Sequence, residues 1–190
     1  MSWSDNFRLV PRLAVVVIAA AALGGCFRPL HGVAQDGTRV QDKLAAIEVA
    51  TINPGNHDSP RLAYYVQSEL TYRLSGGAPG RGDKSAPHQF KLETTVRESV
   101  TSTIVNTTTG NAEAALLRGE AEFRLLPAAG GEPLYSGQAV ASSAYDRTPQ
   151  RFASLRAARD AQIRVGTALA DQIHTRIAAQ FAAGKIAAGR

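Results

Sequence analysis

Two stretches in which apolar and polar side chains alternate constrain the fold more than any other feature of the 190-residue chain. Apolar residues occupy most even positions from Phe90 to Val100 and most odd positions from Ala115 to Leu125. Because the side chains of a β-strand point alternately to the two faces of a sheet, this period of two predicts two half-buried strands. The turn-forming segment 106–111 (NTTTGN) lies between them, so the pair predicts a long antiparallel hairpin.

Two further strands are predicted, one before this hairpin and one after it. Residues 44–52 are apolar and partly alternating, and they end at an Asn-Pro-Gly turn, which favours a buried strand. Residues 134–145 alternate again after the turn at 127–133 and predict a third antiparallel strand.

Two helices are predicted from their start signals. Ser59 and Thr148 are each followed by proline, a capping residue and first helical residue that are typical of helix starts. Each start is followed by one apolar face, formed by Leu62, Tyr65, Val66, Leu70 and Leu74 in the first helix and by Phe152, Leu155, Ile163, Leu169, Ile173, Ile177 and Phe181 in the second. The predicted order is β-α-β-β-β-α, an α+β fold with two helices packed on one face of a four-stranded mixed sheet.

A processing signal precedes these elements. Arg8 and Arg12 provide a positively charged start, and an apolar segment of eleven residues, 13–23, follows. That segment is shorter than the roughly 20 apolar residues of a membrane-spanning helix. It ends in Leu-Gly-Gly before Cys26, the single cysteine of the chain, and this ending resembles the lipobox of bacterial lipoproteins. The resemblance implies cleavage before Cys26 and acylation of its thiol, whereas an ordinary cleaved signal with an incidental cysteine is the alternative.

The chain is therefore predicted to consist of four segments. Residues 1–25 are the cleaved lipoprotein signal peptide, and residues 26–43 are the lipidated N-terminus and its tether. Residues 44–183 form a single α+β domain, and residues 184–190 are a disordered tail. Phe27 follows the cysteine where an aspartate would indicate retention in the inner membrane. We therefore expect the periplasmic face of the outer membrane, with the protein held there by two or three acyl chains.

The residue content argues against an enzyme or a metalloprotein. A single cysteine excludes an internal disulfide, and the four scattered histidines form no zinc cluster with it. Residues 77–85 (GAPGRGDKS) are similar to a phosphate-binding loop, but Asp83 interrupts the motif and a strand follows it instead of a helix. His57 beside Asp58 has no serine in a nucleophile-elbow pattern to accompany it. We expect no catalytic residue, no metal, no nucleic-acid partner and no cofactor other than the covalent lipid on Cys26.

The predicted topology brings the hairpin tip, 101–111, and the strand-to-helix junction, 146–151, to the end of the sheet away from the tether. Arg97, Arg147 and Arg151 lie near this end in the predicted fold. Guanidinium groups suit phosphate oxygens, so these three arginines are candidate ligands for phosphate. The alternative is that all three are solvated surface arginines.

Two short stretches resemble the LptE family of lipopolysaccharide-assembly lipoproteins in its alphaproteobacterial form. Residues 26–32 (CFRPLHG) are similar to the family's Cys-Gly-Phe-Arg-Pro-Leu-Tyr-Gly start, without the glycine after the cysteine and with His31 in place of the tyrosine. The alanine-rich residues 143–173 are similar to its closing helix. Cys26, as the lipidated residue, is the one functional position that the resemblance transfers.

The resemblance implies a non-enzymatic partner of the large β-barrel LptD, lodged in the barrel lumen and helping lipopolysaccharide to reach the outer leaflet. Lipid A phosphates are then the expected ligand of Arg97, Arg147 and Arg151. Two other classes stay open. One is an auxiliary lipoprotein of a lipid-transport ABC complex, and the other is a periplasmic enzyme on a tether.

Overall fold

The computed structural model describes residues 37–54, 60–76, 88–105 and 112–186. Within these ranges the elements are, in chain order, α1 (Val40–Ala45), β1 (Ile47–Val49), β2 (Asn53–Pro54), α2 (Pro60–Leu74), β3 (Phe90–Val105), β4 (Ala112–Pro127), β5 (Tyr135–Asp146) and α3 (Arg151–Ala182). The predicted α+β fold is confirmed, because α2 and α3 lie on a mixed sheet with the strand order β1-β3-β4-β5. The two-residue strand β2 pairs with β3 beyond the end of β1.

β3 and β4 form the hairpin that the alternation predicts. They pair antiparallel from Phe90 opposite Pro127 to Val105 opposite Ala112, with register shifts after Ser102. β5 extends the sheet antiparallel to β4, while β1 and β2 run parallel to β3. Parallel pairing follows from the connection through α2, since a helical crossover returns the chain in the same direction.

The inner face of the sheet forms the core beneath α2 and α3. Its largest fully buried side chains are Phe90, Leu92, Leu117, Phe123 and Leu125. Gly119 of β4 lies where both helices approach the sheet. A Cβ atom added there would lie 2.6 Å from Cγ1 of Val165 and 3.2 Å from Cδ2 of Leu62. Any side chain at this position would therefore push the helices away from the sheet.

The predicted strand over residues 44–52 is wrong at both ends. Leu44 belongs to the helix α1, and the strand covers only Ile47–Val49. The spacing of Val40 and Leu44 is that of neighbours on one helix face, and both are buried in the core. The packed body therefore begins at Val40, inside the segment 26–43 that was predicted to be a tether.

The C-terminus packs further than the sequence predicts. Gly184 has a φ of 66°, and the amide of Lys185 donates to the carbonyl of Gln180 at 3.1 Å, which ends α3 in a Schellman turn. The turn returns Ile186 to the core, where it is 2% exposed. The disordered tail predicted for residues 184–190 is therefore wrong as far as Ile186, and residues 187–190 lie outside the described ranges.

The apolar face predicted for the last helix is only partly a core face. Its later members are fully buried: Leu169, Ile173, Ile177 and Phe181. Its first members, Phe152 and Leu155, are 83% and 62% exposed, and Ile163 is 42% exposed. α3 is longer than the strand beside it, because its 32 residues span about 48 Å whereas the 12 residues of β5 span about 40 Å. β5 therefore cannot cover this helix from end to end.

Candidate functional site

The first ten residues of α3, 151–160, project past the end of β5, and we call this segment the overhang. Nη2 of Arg164 donates to the carbonyl of Ala144 at 3.2 Å, which aligns the helix with the strand. The helix extends about 20 Å from Arg164 back to its start, whereas only about 7 Å of β5 remain beyond Ala144. The overhang therefore reaches about 13 Å past the strand, and none of its residues is buried.

The overhang and the junction before it carry cationic and apolar side chains side by side. Residues 146–160 contain four arginines and two aspartates, a net charge of two positive. Phe152 and Leu155 expose most of their side chains among these charges. Guanidinium groups bind phosphate oxygens, and exposed apolar side chains gain free energy when acyl chains cover them. The surface is therefore suited to an anionic amphiphile.

Hydrogen bonds hold the junction between β5 and α3 in place. Oγ of Ser154 accepts from the amide of Thr148 at 2.9 Å and donates to the carbonyl of the same residue at 2.8 Å. The amide of Arg147 donates to the carbonyl of Glu113 at 2.8 Å. Arg147 is thereby attached to the hairpin, and the first turn of the overhang is attached to the loop that precedes it.

Arg97 does not belong to this surface. Nη1 of Arg97 lies 3.4 Å from Oε1 of Glu122, on the face of the sheet away from the helices. Nη1 of Arg147 instead lies 3.5 Å from Oγ of Ser102, which is on the helix side about 17 Å further along β3. The predicted group of three arginines is therefore corrected to Arg147 and Arg151, because strand alternation places Arg97 on the opposite face.

Arg159 connects the overhang to α2. Its Nε donates a hydrogen bond of 3.0 Å to the hydroxyl of Tyr65. This hydrogen bond, with the Coulombic attraction of the same tyrosine, raises the pKa of Arg159 above its ordinary value. The side chain therefore stays cationic throughout the physiological pH range.

The face of the sheet away from the helices is polar. Three ion pairs lie on it: Lys91–Glu93 at 2.9 Å, Arg97–Glu122 at 3.4 Å and Arg118–Glu120 at 2.9 Å. Solvent reaches all six side chains, so each pair contributes only about 0–1 kcal/mol to stability. The pairs matter more for the character of the surface, which we call the outer face and which is charged but carries both signs.

The described chain begins at the opposite end of the domain from the overhang. Nζ of Lys43 in α1 lies 5.7 Å from the ring centroid of Phe181, close to the C-terminus of α3. Phe152 and Phe181 are separated by about 44 Å along the helix. The N-terminal segment therefore joins the domain far from the overhang.

Comparison with known proteins identifies the fold. No protein-family model matches the sequence, and no curated protein matches it significantly. The chain is similar in structure to a candidate lipoprotein from Caulobacter crescentus CB15, with a TM-score of 0.56 and 24% identity, over 75% of this chain and 96% of that chain. The two proteins share a fold.

Two further solved structures are similar to this chain more loosely. Rare lipoprotein B from Shewanella oneidensis has a TM-score of 0.36 and 15% identity, over 70% of this chain and 90% of that chain. A minor lipoprotein from Acinetobacter baumannii has a TM-score of 0.42 and 17% identity, over 70% of this chain and 91% of that chain. Similarities at this level establish nothing about the present chain.

Three other features of the sequence lie outside the described residues: Cys26, the segment 77–85, and the pair His57 and Asp58. What the sequence indicates about them stays a prediction. In the part of the chain that is described, no three His, Cys, Asp or Glu residues are placed to hold a metal ion. The same part contains no helix with the length and hydropathy of a membrane span.

Proposed function

We propose that this chain is an outer-membrane lipoprotein that assists lipopolysaccharide assembly as the partner of an LptD-like β-barrel and catalyses no reaction. The observation that carries the proposal is the overhang with the junction before it, a segment that contains Arg147 and Arg151 together with the exposed Phe152 and Leu155. Lipopolysaccharide carries the two complementary groups, phosphates and acyl chains. A surface with only charges, or only apolar side chains, would match just one of them.

Anchoring through Cys26 is the second part of the proposal. Acyl chains on this residue would hold the first residue of the exported form at the membrane. The overhang then lies at the end of α3 farthest from the point where the chain enters the domain, about 44 Å away. The Caulobacter crescentus protein that shares the fold is itself described as a candidate lipoprotein, which agrees with this form of attachment.

The outer face supports a barrel partner. The lumen of an outer-membrane barrel is polar, so a protein lodged in it needs a polar surface rather than an apolar one. The three exposed ion pairs of the outer face provide that surface. Charges of both signs also allow contacts with the mixed side chains of a barrel wall.

Crosslinking in the native membrane tests the partner. A photoreactive residue placed at Arg124, which is exposed on the outer face, is expected to capture a β-barrel protein. The same probe at Phe152 is expected to capture lipopolysaccharide. Capture of an ATPase-permease assembly by the Arg124 probe would instead favour an auxiliary lipoprotein of an ABC transporter. Capture of neither assembly by any probe on the domain would overturn the proposal.

Charge reversal at the junction and the overhang tests the ligand. The double variant Arg147→Glu/Arg151→Glu is expected to bind lipopolysaccharide at least about tenfold more weakly, because each charge-assisted hydrogen bond contributes roughly 1.5–3 kcal/mol. Binding of labelled lipopolysaccharide to the detergent-solubilised full chain measures the effect. Arg124→Glu/Lys185→Glu is the control, since it changes the net charge equally at exposed positions away from the overhang. Equal binding by a folded double variant and this control would contradict the assignment.

A further inference from the structure

β5 is a sheet edge with none of the usual intrinsic protections. Among the described strands it pairs only with β4, and the register between the two contains no bulge. Residues 135–145 (YSGQAVASSAY) contain no charged side chain and no proline. Long, flat, uncharged edges accept further strands, and natural proteins interrupt them with lysine, proline or a bulge. The protection of this edge must therefore come from another element.

α3 supplies side-chain donors along this edge. Nη2 of Arg164 donates to the carbonyl of Ala144 at 3.2 Å, and Nε2 of Gln172 donates to the carbonyl of Val140 at 2.9 Å. Nη1 of Arg176 donates to the carbonyl of Gln138. All three acceptors are even-numbered residues of one strand, so their carbonyls point to the same side, away from β4.

The three contacts repeat because the helix and the strand have matching periods. α3 runs antiparallel to β5, and four helical residues rise about 6.0 Å while two strand residues rise about 6.7 Å. Donors at 164, 172 and 176 therefore meet carbonyls at 144, 140 and 138 in register. Position 168 belongs to the same series, but it is an alanine, and its methyl group cannot donate a hydrogen bond.

Two other residues hold Arg164, the donor nearest the C-terminal end of β5, in place. Nε of Arg164 donates to Oγ of Ser143 at 2.9 Å, and Nη1 of the same side chain pairs with Asp160. A guanidinium fixed in this way loses less side-chain entropy when it covers the carbonyl of Ala144. The helix thus covers the strand edge with three donors, two of them charged and one of these, Arg164, preorganised, and an added strand would have to displace them.

We infer that Arg164, Gln172 and Arg176 close the β5 edge against strand addition, and that the strand they exclude is β5 of a second copy of this chain. Two β5 strands related by a two-fold axis pair antiparallel with the same residues on both sides. With no charge between residues 135 and 145, such a pair meets no like-charge repulsion. The closure keeps the protein monomeric, and it is independent of the ligand and the partner proposed above.

Removing the three donors tests the inference. The full chain carrying Arg164→Ala/Gln172→Ala/Arg176→Ala, solubilised in a mild detergent, is expected to form a dimer with about twice the protein mass of the parent in light scattering. The parent chain is expected to stay monomeric. The matched control Arg61→Ala/Gln67→Ala/Arg97→Ala removes two arginines and one glutamine from α2 and β3, neither of which pairs with β5, and it is also expected to stay monomeric.

A rescue variant shows whether the association uses this edge. Val140→Lys, added to the triple variant, places a charge on the solvent-exposed side of β5 and is expected to restore the monomer. If the triple variant does not fold, Gln172→Ala/Arg176→Ala replaces it, because this pair leaves the contact between Arg164 and Asp160 intact. A folded donor-deletion variant that stays monomeric, or a dimer that Val140→Lys does not dissociate, would overturn the inference. So would a dimeric parent chain that pairs through β5.

Discussion

Replacing Cys26 by serine is expected to abolish acyl labelling of the protein and to remove it from the outer-membrane fraction. Serine lacks the thiol that accepts the lipid, and Cys26 is the single cysteine of the chain, so the label reports this site alone. Each buried methylene of an acyl chain contributes about 0.8 kcal/mol to membrane binding, and loss of all the chains removes that free energy completely. Incorporation of a labelled fatty acid and membrane fractionation measure the two effects.

The control for this variant lies in the same stretch. His31→Ala changes a neighbouring residue of the CFRPLHG segment and is expected to leave the labelling unchanged. Label retained on the Cys26→Ser protein would show that the lipid is attached elsewhere. An unlabelled wild-type chain would show that the signal is an ordinary one with an incidental cysteine.

Phe181→Ala is expected to lower the free energy of unfolding by about 3–5 kcal/mol, the usual loss when a buried aromatic side chain is truncated. Phe181 is fully buried, its ring centroid lies 5.3 Å from that of Phe90 in an edge-to-face arrangement, and Lys43 packs over it. The substitution leaves a cavity where α1, β3 and the end of α3 meet. Denaturant unfolding followed by circular dichroism measures the change.

Phe152→Ala is the matched control, since it makes the same substitution at the other end of the same helix. Phe152 is 83% exposed, so its removal is expected to change the free energy of unfolding by less than about 0.5 kcal/mol. Similar losses from the two variants would mean that the overhang is packed in solution. A loss from Phe152→Ala alone would reverse the assignment of the two helix ends.

The strands and the start of each long helix were predictable because their signals are local. The hairpin follows from a period of two that runs through β3 and β4, and the register observed between the strands keeps all the predicted inward positions on one face. The helix α2 begins at Pro60, as the capping pair indicates, and α3 begins two residues after Pro149. Each of these patterns depends on neighbours in sequence, not on distant contacts.

Short elements and chain ends were predicted less well. Residues 44–45 were assigned to a strand, but α1 needs the burial of Val40 and Leu44 against the body of the protein to be stable. A six-residue helix is too short to form by itself, so no local signal marks it. Ile186 was likewise assigned to a disordered tail, and it is ordered only because a Schellman turn returns it to the core.

The same distinction applies to the candidate site, where some features follow from the sequence and others only from the tertiary structure. The sequence alone identified Arg147 and Arg151 as cations near a strand-to-helix junction, and it determined the period that makes Phe152 and Phe181 members of one apolar face. Only the tertiary structure decided that Phe181 is covered and Phe152 is not, and that Arg97 lies on the other side of the sheet. The reason is that periodicity specifies the direction in which a side chain points from its own element, whereas burial depends on where that element lies relative to all the others.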